Sequence, residues 1–293
     1  MIAYDPRSWL KPVLQFHKAD TFRKLFPLMV LLGALCTGIA WLEVEHLRMN
    51  ENSHLRNVTM MHNLLGLALS VLLVFRTNTA YDRWWEGRKL WGQLVNCSRN
   101  LAVKISVMVD PSDTGTRSFF ARIIGLFAYE LKHHLRQEGT RLELDSEPHP
   151  EIPGFDSSRH IPAQAVQLMQ QRVHRLHREG QLSGEQLIVL NTELVQFLDI
   201  CGACERIKNS PIPYSYSTFI KKFISAYAIT LPFGFVIPLG YWAIPIVVFI
   251  FYVFASLELI AEEIEDPFGT DVNDLPMDRL SEVIARNAKE ILD

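Results

Sequence analysis

The chain has 293 residues, of which 48% are hydrophobic and 21% charged, with a formal net charge of −3. With a marginally positive mean hydropathy, it is too apolar for an ordinary soluble protein of this charge content and too charged to be membrane throughout. The small net charge and dispersed basic residues give no support to a nucleic-acid partner. No phosphate-binding glycine loop, nucleophile elbow or recognisable catalytic acid pair is present, so the chain reads as a non-enzyme needing no cofactor.

Residues 1–24 are amphipathic and mixed, without the apolar core and small-residue cleavage site of a signal peptide, so no cleavage is expected. Uncharged runs then follow at 25–42 and 58–75, separated by a loop richer in acid, and again at 223–242 and 243–257. Each run is long enough, with its flanks, to cross about 30 Å of hydrocarbon. Basic residues cluster before the first run (Lys11, Lys18, Arg23, Lys24), after the second (Arg76, Arg83, Arg88, Lys89) and before the third (Lys221, Lys222). The positive-inside rule therefore predicts both termini and the middle block on the cytoplasmic side. The expected fold is an all-α membrane protein forming one domain, with spans at about 25–42, 58–75, 223–242 and 243–260. A helical cytoplasmic region at 76–222 and a cytoplasmic segment at 261–293 complete it.

Within the middle block, Phe119, Ile123, Phe127, Leu131 and Leu135 recur every four residues. Leu187, Leu190, Leu194, Phe197 and Cys201 mark a second stripe, and both predict amphipathic core helices. The Gly- and Pro-rich stretch 138–162 reads as a mobile surface loop. The four cysteines fall in segments where disulfides are disfavoured, so Cys36, Cys97, Cys201 and Cys204 are expected as free thiols.

Three passages carry a resemblance: Phe75-Arg76-Thr77-Asn78-Thr79-Ala80-Tyr81-Asp82-Arg83-Trp84-Trp85-Glu86, Ile212-Pro213-Tyr214 preceded by Cys201-Gly202, and Asp266-Pro267-Phe268-Gly269 followed by acids. In this order relative to four spans, the chain resembles the bestrophin family, in particular its bacterial members. The resemblance implies a homopentamer in the bacterial inner membrane that conducts inorganic ions along its central axis. Second-span helices would form a membrane neck and cytoplasmic helices a lower constriction.

Registered on Arg83-Trp84-Trp85, the pore-lining apolar positions implied by the resemblance fall on Leu67, Val71 and Phe75, on one helical face. A ring of such side chains can gate by dewetting; by themselves these residues equally suit a face turned to lipid or to a neighbouring helix. Gly66 and Ser70 are expected to let second-span helices approach one another. His62 and Asn63 suit either the outer vestibule or hydrogen-bonded packing.

Counted back from Cys201-Gly202, the family's lower constriction position, usually apolar, falls on Glu185. A ring of carboxylates there would attract cations, so a cation-selective channel is expected, with an anion-selective channel of the same architecture as the alternative. Ser183 with Gln186 also reads as a capping box, in which Glu185 complements a helix N-terminus.

The segment from Asp266 resembles the stretch where animal bestrophins bind calcium. Asp271 and Asp274 are the candidate ligands, but Thr270, Val272 and Asn273 interrupt the acidic run, and a turn before the next helix is the other reading. Glu258, Glu262, Glu263 and Glu265 are expected to pair with Arg76, Arg83 or Arg88. Cys201 and Cys204 have redox-motif spacing and define a second alternative, a membrane-anchored metal or thiol sensor. His174 and His177, among Arg172, Arg175 and Arg178, read as solvated or packed.

Overall fold

In the computed structural model, residues 20–46, 56–137, 152, 154–156 and 158–293 are described. Lys11 and Lys18, part of the acidic loop and most of the stretch 138–162 lie outside them. All regular structure among the described residues is helical. Helix α1 spans Asp20–Trp41 and runs into a π-type turn, Leu42–His46. Helix α2, Arg56–Met108, is a single rod of 53 residues, about 80 Å long at 1.5 Å per residue. There follow α3 (Thr114–Arg136), α4 (Ile161–Arg178), α5 (Gly184–Asn209), α6 (Tyr214–Leu239), α7 (Ala243–Glu265) and α8 (Met277–Leu292).

The local signals explain these boundaries. Asp113 caps α3 by accepting the Thr116 N–H at 2.9 Å, and Ser183 and Gln186 form the expected capping box on α5. Between α6 and α7 the chain makes one 3-10 turn, Gly240–Trp242, entered through Gly240 at φ 55°. A side chain there would be strained, so glycine permits the reversal.

Two compact units interleave along the sequence. One comprises α1, the first half of α2, α6 and α7, with a core that includes Leu32, Leu69, Leu73, Ile220, Leu231 and Val247. Its outward face is also apolar, with Leu31, Phe249 and Trp242 exposed, as expected of a surface that meets lipid. The other comprises the second half of α2, then α3 to α5 and α8. Its core holds Trp91, Phe120, Phe127, Phe197 and Phe268. All five residues of the α3 stripe are buried, as are Leu190, Leu194, Phe197 and Cys201 of α5, while Leu187 is half-buried. Helices α3 and α8 touch so closely at Gly125 that a Cβ there would lie 2.8 Å from Ala285 Cβ. All four cysteines are buried and form no disulfide.

Four helical segments among the described residues are long and apolar enough to cross a bilayer: Thr21–His46, Thr59–Met108, Gly184–Asn209 and Tyr214–Glu265. The last contains the Gly240 break and is long enough to cross twice. Gly184–Asn209 is α5, and composition alone does not distinguish it from a span. Its inner face is mostly apolar but carries buried Glu193 paired with Lys104 at 2.6 Å, and a buried ion pair is costly in hydrocarbon.

Candidate functional site

Leu67, Val71 and Phe75 lie along one face of α2 and are 65%, 48% and 62% exposed. At 3.6 residues per turn that face centres about 170° from the one bearing Leu69, Leu73, Arg76 and Ala80, all of which are buried. The stripe is therefore turned directly away from the helices of its own unit. Gly66 departs from expectation: a Cβ there would lie 2.6 Å from Tyr227 Oη, so this glycine admits α6 of the same chain rather than another second-span helix. Ser70 donates to the Gly66 carbonyl at 2.7 Å. His62 is buried, with Nε2 3.1 Å from Thr230 Oγ1 and its ring against Tyr227; of its two expected roles, it takes packing. Asn63 is exposed.

The buried face of α2 ends in charge. Arg76 lies 3.4 Å from Glu258 and 2.7 Å from Glu265, from Nε and Nη2 respectively. Lys221 pairs with Glu262 at 2.8 Å and Lys24 with Glu263 at 3.1 Å. The acids at the end of α7 thus have basic partners. Arg83 meets the end of another helix. It donates to the carbonyls of Ile207 at 2.6 Å and Ser210 at 2.5 Å, at the C-terminus of α5, where a cation satisfies free carbonyls and the helix dipole.

At the other end of α5, Glu185 is exposed and accepts the Ser183 hydroxyl at 2.7 Å. The Ser183 hydrogen bond, with the helix-end backbone, holds its carboxyl below the usual carboxylate value. One turn along, Ile188 is 69% exposed, more than any other large apolar side chain of α5. Sequence reasoning passed over it because it breaks no stripe; the signal available was its place off the buried face and three residues from Glu185. Burial pushes the Cys201 thiol up to about 12 and raises the Cys204 thiol as well.

In the acidic segment, Asp274 is buried and accepts the Asp271 N–H at 2.6 Å. Leu275 N–H donates to the Pro267 carbonyl at 2.9 Å and Trp84 Nε1 to the Asn273 carbonyl at 2.9 Å. A Cβ on Gly269 would sit 2.7 Å from Asp274 Oδ2, so glycine is needed for this closure. The segment is a closed turn, with one candidate carboxylate folded inward and that of Asp271 outward. Calcium needs six to eight oxygens, and of the two candidate carboxylates only that of Asp271 is turned outward. His177 Nδ1 is 2.9 Å from the Leu182 carbonyl and His174 is exposed, matching the packed and solvated reading.

The chain matches the family model described as Bacterial/Fungal Bestrophin protein over residues 1–290. It is 31% identical over 296 residues to a voltage-dependent anion channel-forming protein of Ralstonia nicotianae, covering 100% of this chain and 94% of the relative. A protein of the same description from Escherichia coli K12 is 37% identical over 223 residues, covering 76% and 73% of the two chains. The fold superposes on a bacterial bestrophin homologue from Klebsiella pneumoniae with a TM-score of 0.78 at 27% identity, covering 92% of this chain and 100% of that one. A further crystal structure, of a membrane protein, gives 0.80 at 26% identity, covering 92% and 98%.

Proposed function

We propose that this chain, which belongs to the bestrophin family, is a subunit of a homopentameric ion channel in the bacterial inner membrane, with both termini cytoplasmic. The observation that carries the reading is the Leu67, Val71 and Phe75 stripe. It is exposed, apolar and opposite the face that anchors α2 in its own unit, which suits a helix that meets copies of itself around an axis. Rings of these side chains would form a neck that conducts only when widened enough to wet.

For selectivity, the names of the relatives support the anion-selective alternative over the cation preference expected from Glu185. Glu185 sits at the positive N-terminus of α5, whose dipole partly offsets a charge that the Ser183 hydrogen bond keeps ionised. Ile188 presents the apolar side chain that the family's constriction usually has. A cation-selective channel remains the second reading, favoured by the exposure of the Glu185 carboxylate itself.

Calcium is not required in this proposal, because Asp274 is engaged by backbone and only Asp271 of the two is outward. Calcium activation abolished by Asp271→Ala would overturn this. The sensor reading loses support as well: thiolates are the reactive and ligating form, and burial disfavours them at Cys201 and Cys204.

The experiment is reconstitution of the purified protein in liposomes, with the reversal potential measured across a salt gradient. Ionic current that survives Cys201→Ala with Cys204→Ala supports the channel, and the sign of the potential separates anion from cation preference. Absence of flux from a properly assembled oligomer under all voltages and salts would refute the proposal.

A further inference from the structure

Three side chains of metal-ligating type meet within one unit. His134 is in the last turn of α3, His160 is the N-cap of α4 and Glu205 lies in α5. They are distant in sequence, Glu205 being 71 residues from one histidine and 45 from the other. Nε2 of His134 is 2.6 Å and Nε2 of His160 2.7 Å from the same oxygen, Oε1 of Glu205. The imidazole centroids are 4.8 Å apart, and all three side chains are partly open to solvent.

We propose that His134, His160 and Glu205 form a binding site for a divalent transition-metal ion of the zinc class. Two imidazoles and one carboxylate are a recurrent zinc donor set, completed in such sites by water. Tetrahedral bonds of about 2.0 Å place donors roughly 3.3 Å apart, so the two histidine–Glu205 distances need to open by only a fraction of an ångström, and all three ligand atoms already lie within 4.8 Å of one another. Each histidine comes from a helix end, His134 in the last turn of α3 and His160 at the N-cap of α4.

Proton placement adds a specific feature. His160 Nδ1 accepts the Ala163 N–H at 3.1 Å, so Nε2 carries the proton it donates to Glu205. Metal ligation through Nε2 moves that proton to Nδ1, and the Ala163 N–H passes from the imidazole to water. The metal and the His160 cap are therefore alternatives: the ion ties α3, α4 and α5 together while the cap of α4 is released. The cluster is satisfied without metal, which gives it two defined states.

The test uses the purified full-length protein in detergent. Cobalt titration should give the visible ligand-field bands of a tetrahedral nitrogen and oxygen site, saturating at a single ion per subunit, and zinc should displace it. His160→Asn preserves a cap acceptor while deleting the ligand, so it separates binding from folding. It and Glu205→Gln should each weaken cobalt binding by about tenfold or more, with His174→Ala plus His177→Ala as an unaffected control. No cobalt bands at saturating ion, bands unchanged in His160→Asn, or bands lost in the control variant would each overturn the proposal.

Discussion

Arg76 and Glu258, 182 residues apart, form an ion pair in which both side chains are almost wholly buried, with Arg76 Nε 3.4 Å from Glu258 Oε1. The arginine is the residue next to Phe75, so the pair fixes the rotation of α2 at the point where the exposed apolar stripe ends. A charge pair of this kind stabilises little relative to apolar residues of the same shape, but losing one partner strands the other. Arg76→Ala is expected to destabilise the protein by about 3–5 kcal/mol, while Arg76→Met with Glu258→Leu and Glu265→Gln, which leaves neither carboxylate without its cation, costs much less. Thermal unfolding in detergent compares the two. Equal losses would show that the pair contributes packing rather than charge compensation.

If the stripe lines a neck, Leu67→Ala, Val71→Ala and Phe75→Ala together should raise conductance or open probability by widening and wetting the passage. The oligomer should persist, since none of the three packs within its own unit. Single-channel recording alongside sizing of the assembled protein reads both. Unchanged flux in an intact triple variant would place these side chains against lipid.

The α5 end offers two candidates for selectivity, Glu185 and Ile188. Glu185→Gln removes charge at nearly constant volume, so a shift of reversal potential toward anions would assign a share of selectivity to the carboxylate. An unchanged potential, with conductance raised by Ile188→Ala, would assign the constriction to the isoleucine. The Ser183 hydroxyl lowers the Glu185 carboxyl, whereas convergence of like charges in a ring raises it. Ser183→Ala should therefore move any acid-induced change in selectivity to higher pH. A shift to lower pH would contradict the hydrogen bond as the cause.

Asp278 on α8 receives both terminal nitrogens of Arg136, at 3.1 and 2.9 Å, and Lys132 at 3.1 Å. The Arg136 hydrogen bonds, helped by Lys132 and opposed by desolvation, hold its carboxyl near pKa 2, against an ordinary value of 3.8. A depressed carboxylate pKa stabilises the fold above the unfolded value, and that share is lost as pH falls from about 4 towards 2. Because Asp278 is largely exposed, solvent screening keeps the effect small. Asp278→Asn should flatten the acid limb of the melting temperature between those pH values, lowering it slightly at neutral pH and matching the parent near pH 2. An unaltered acid limb would mean the Arg136 contact adds nothing.

Much of this architecture was legible without coordinates, because helix periodicity and capping are local. The uncharged runs lie in α1, α2, α6 and α7, the four-residue stripe of α3 is buried at every position, and Ser183 with Gln186 caps α5 as their spacing predicts. The family, too, was carried by short motifs. Other features depended on residues far apart in the chain. That α2 runs unbroken from Arg56 to Met108 was missed, because the change from apolar to charged composition at Arg76 reads as a boundary although no helix-breaking residue stands there. The α5 stripe read as an amphipathic core helix, although its length and composition also suit a span. Gly66 was matched to the wrong helix, His62 had two open roles, and the carbonyl contacts of Arg83 were not foreseen. Those choices rest on which side chains the tertiary fold brings within about 3 Å, and one-dimensional spacing carries no information on contacts between helices 100 or more residues apart. Local sequence therefore determined where the helices are and which face each buries, while only the tertiary structure decided what each buried polar group meets, since that depends on long-range packing.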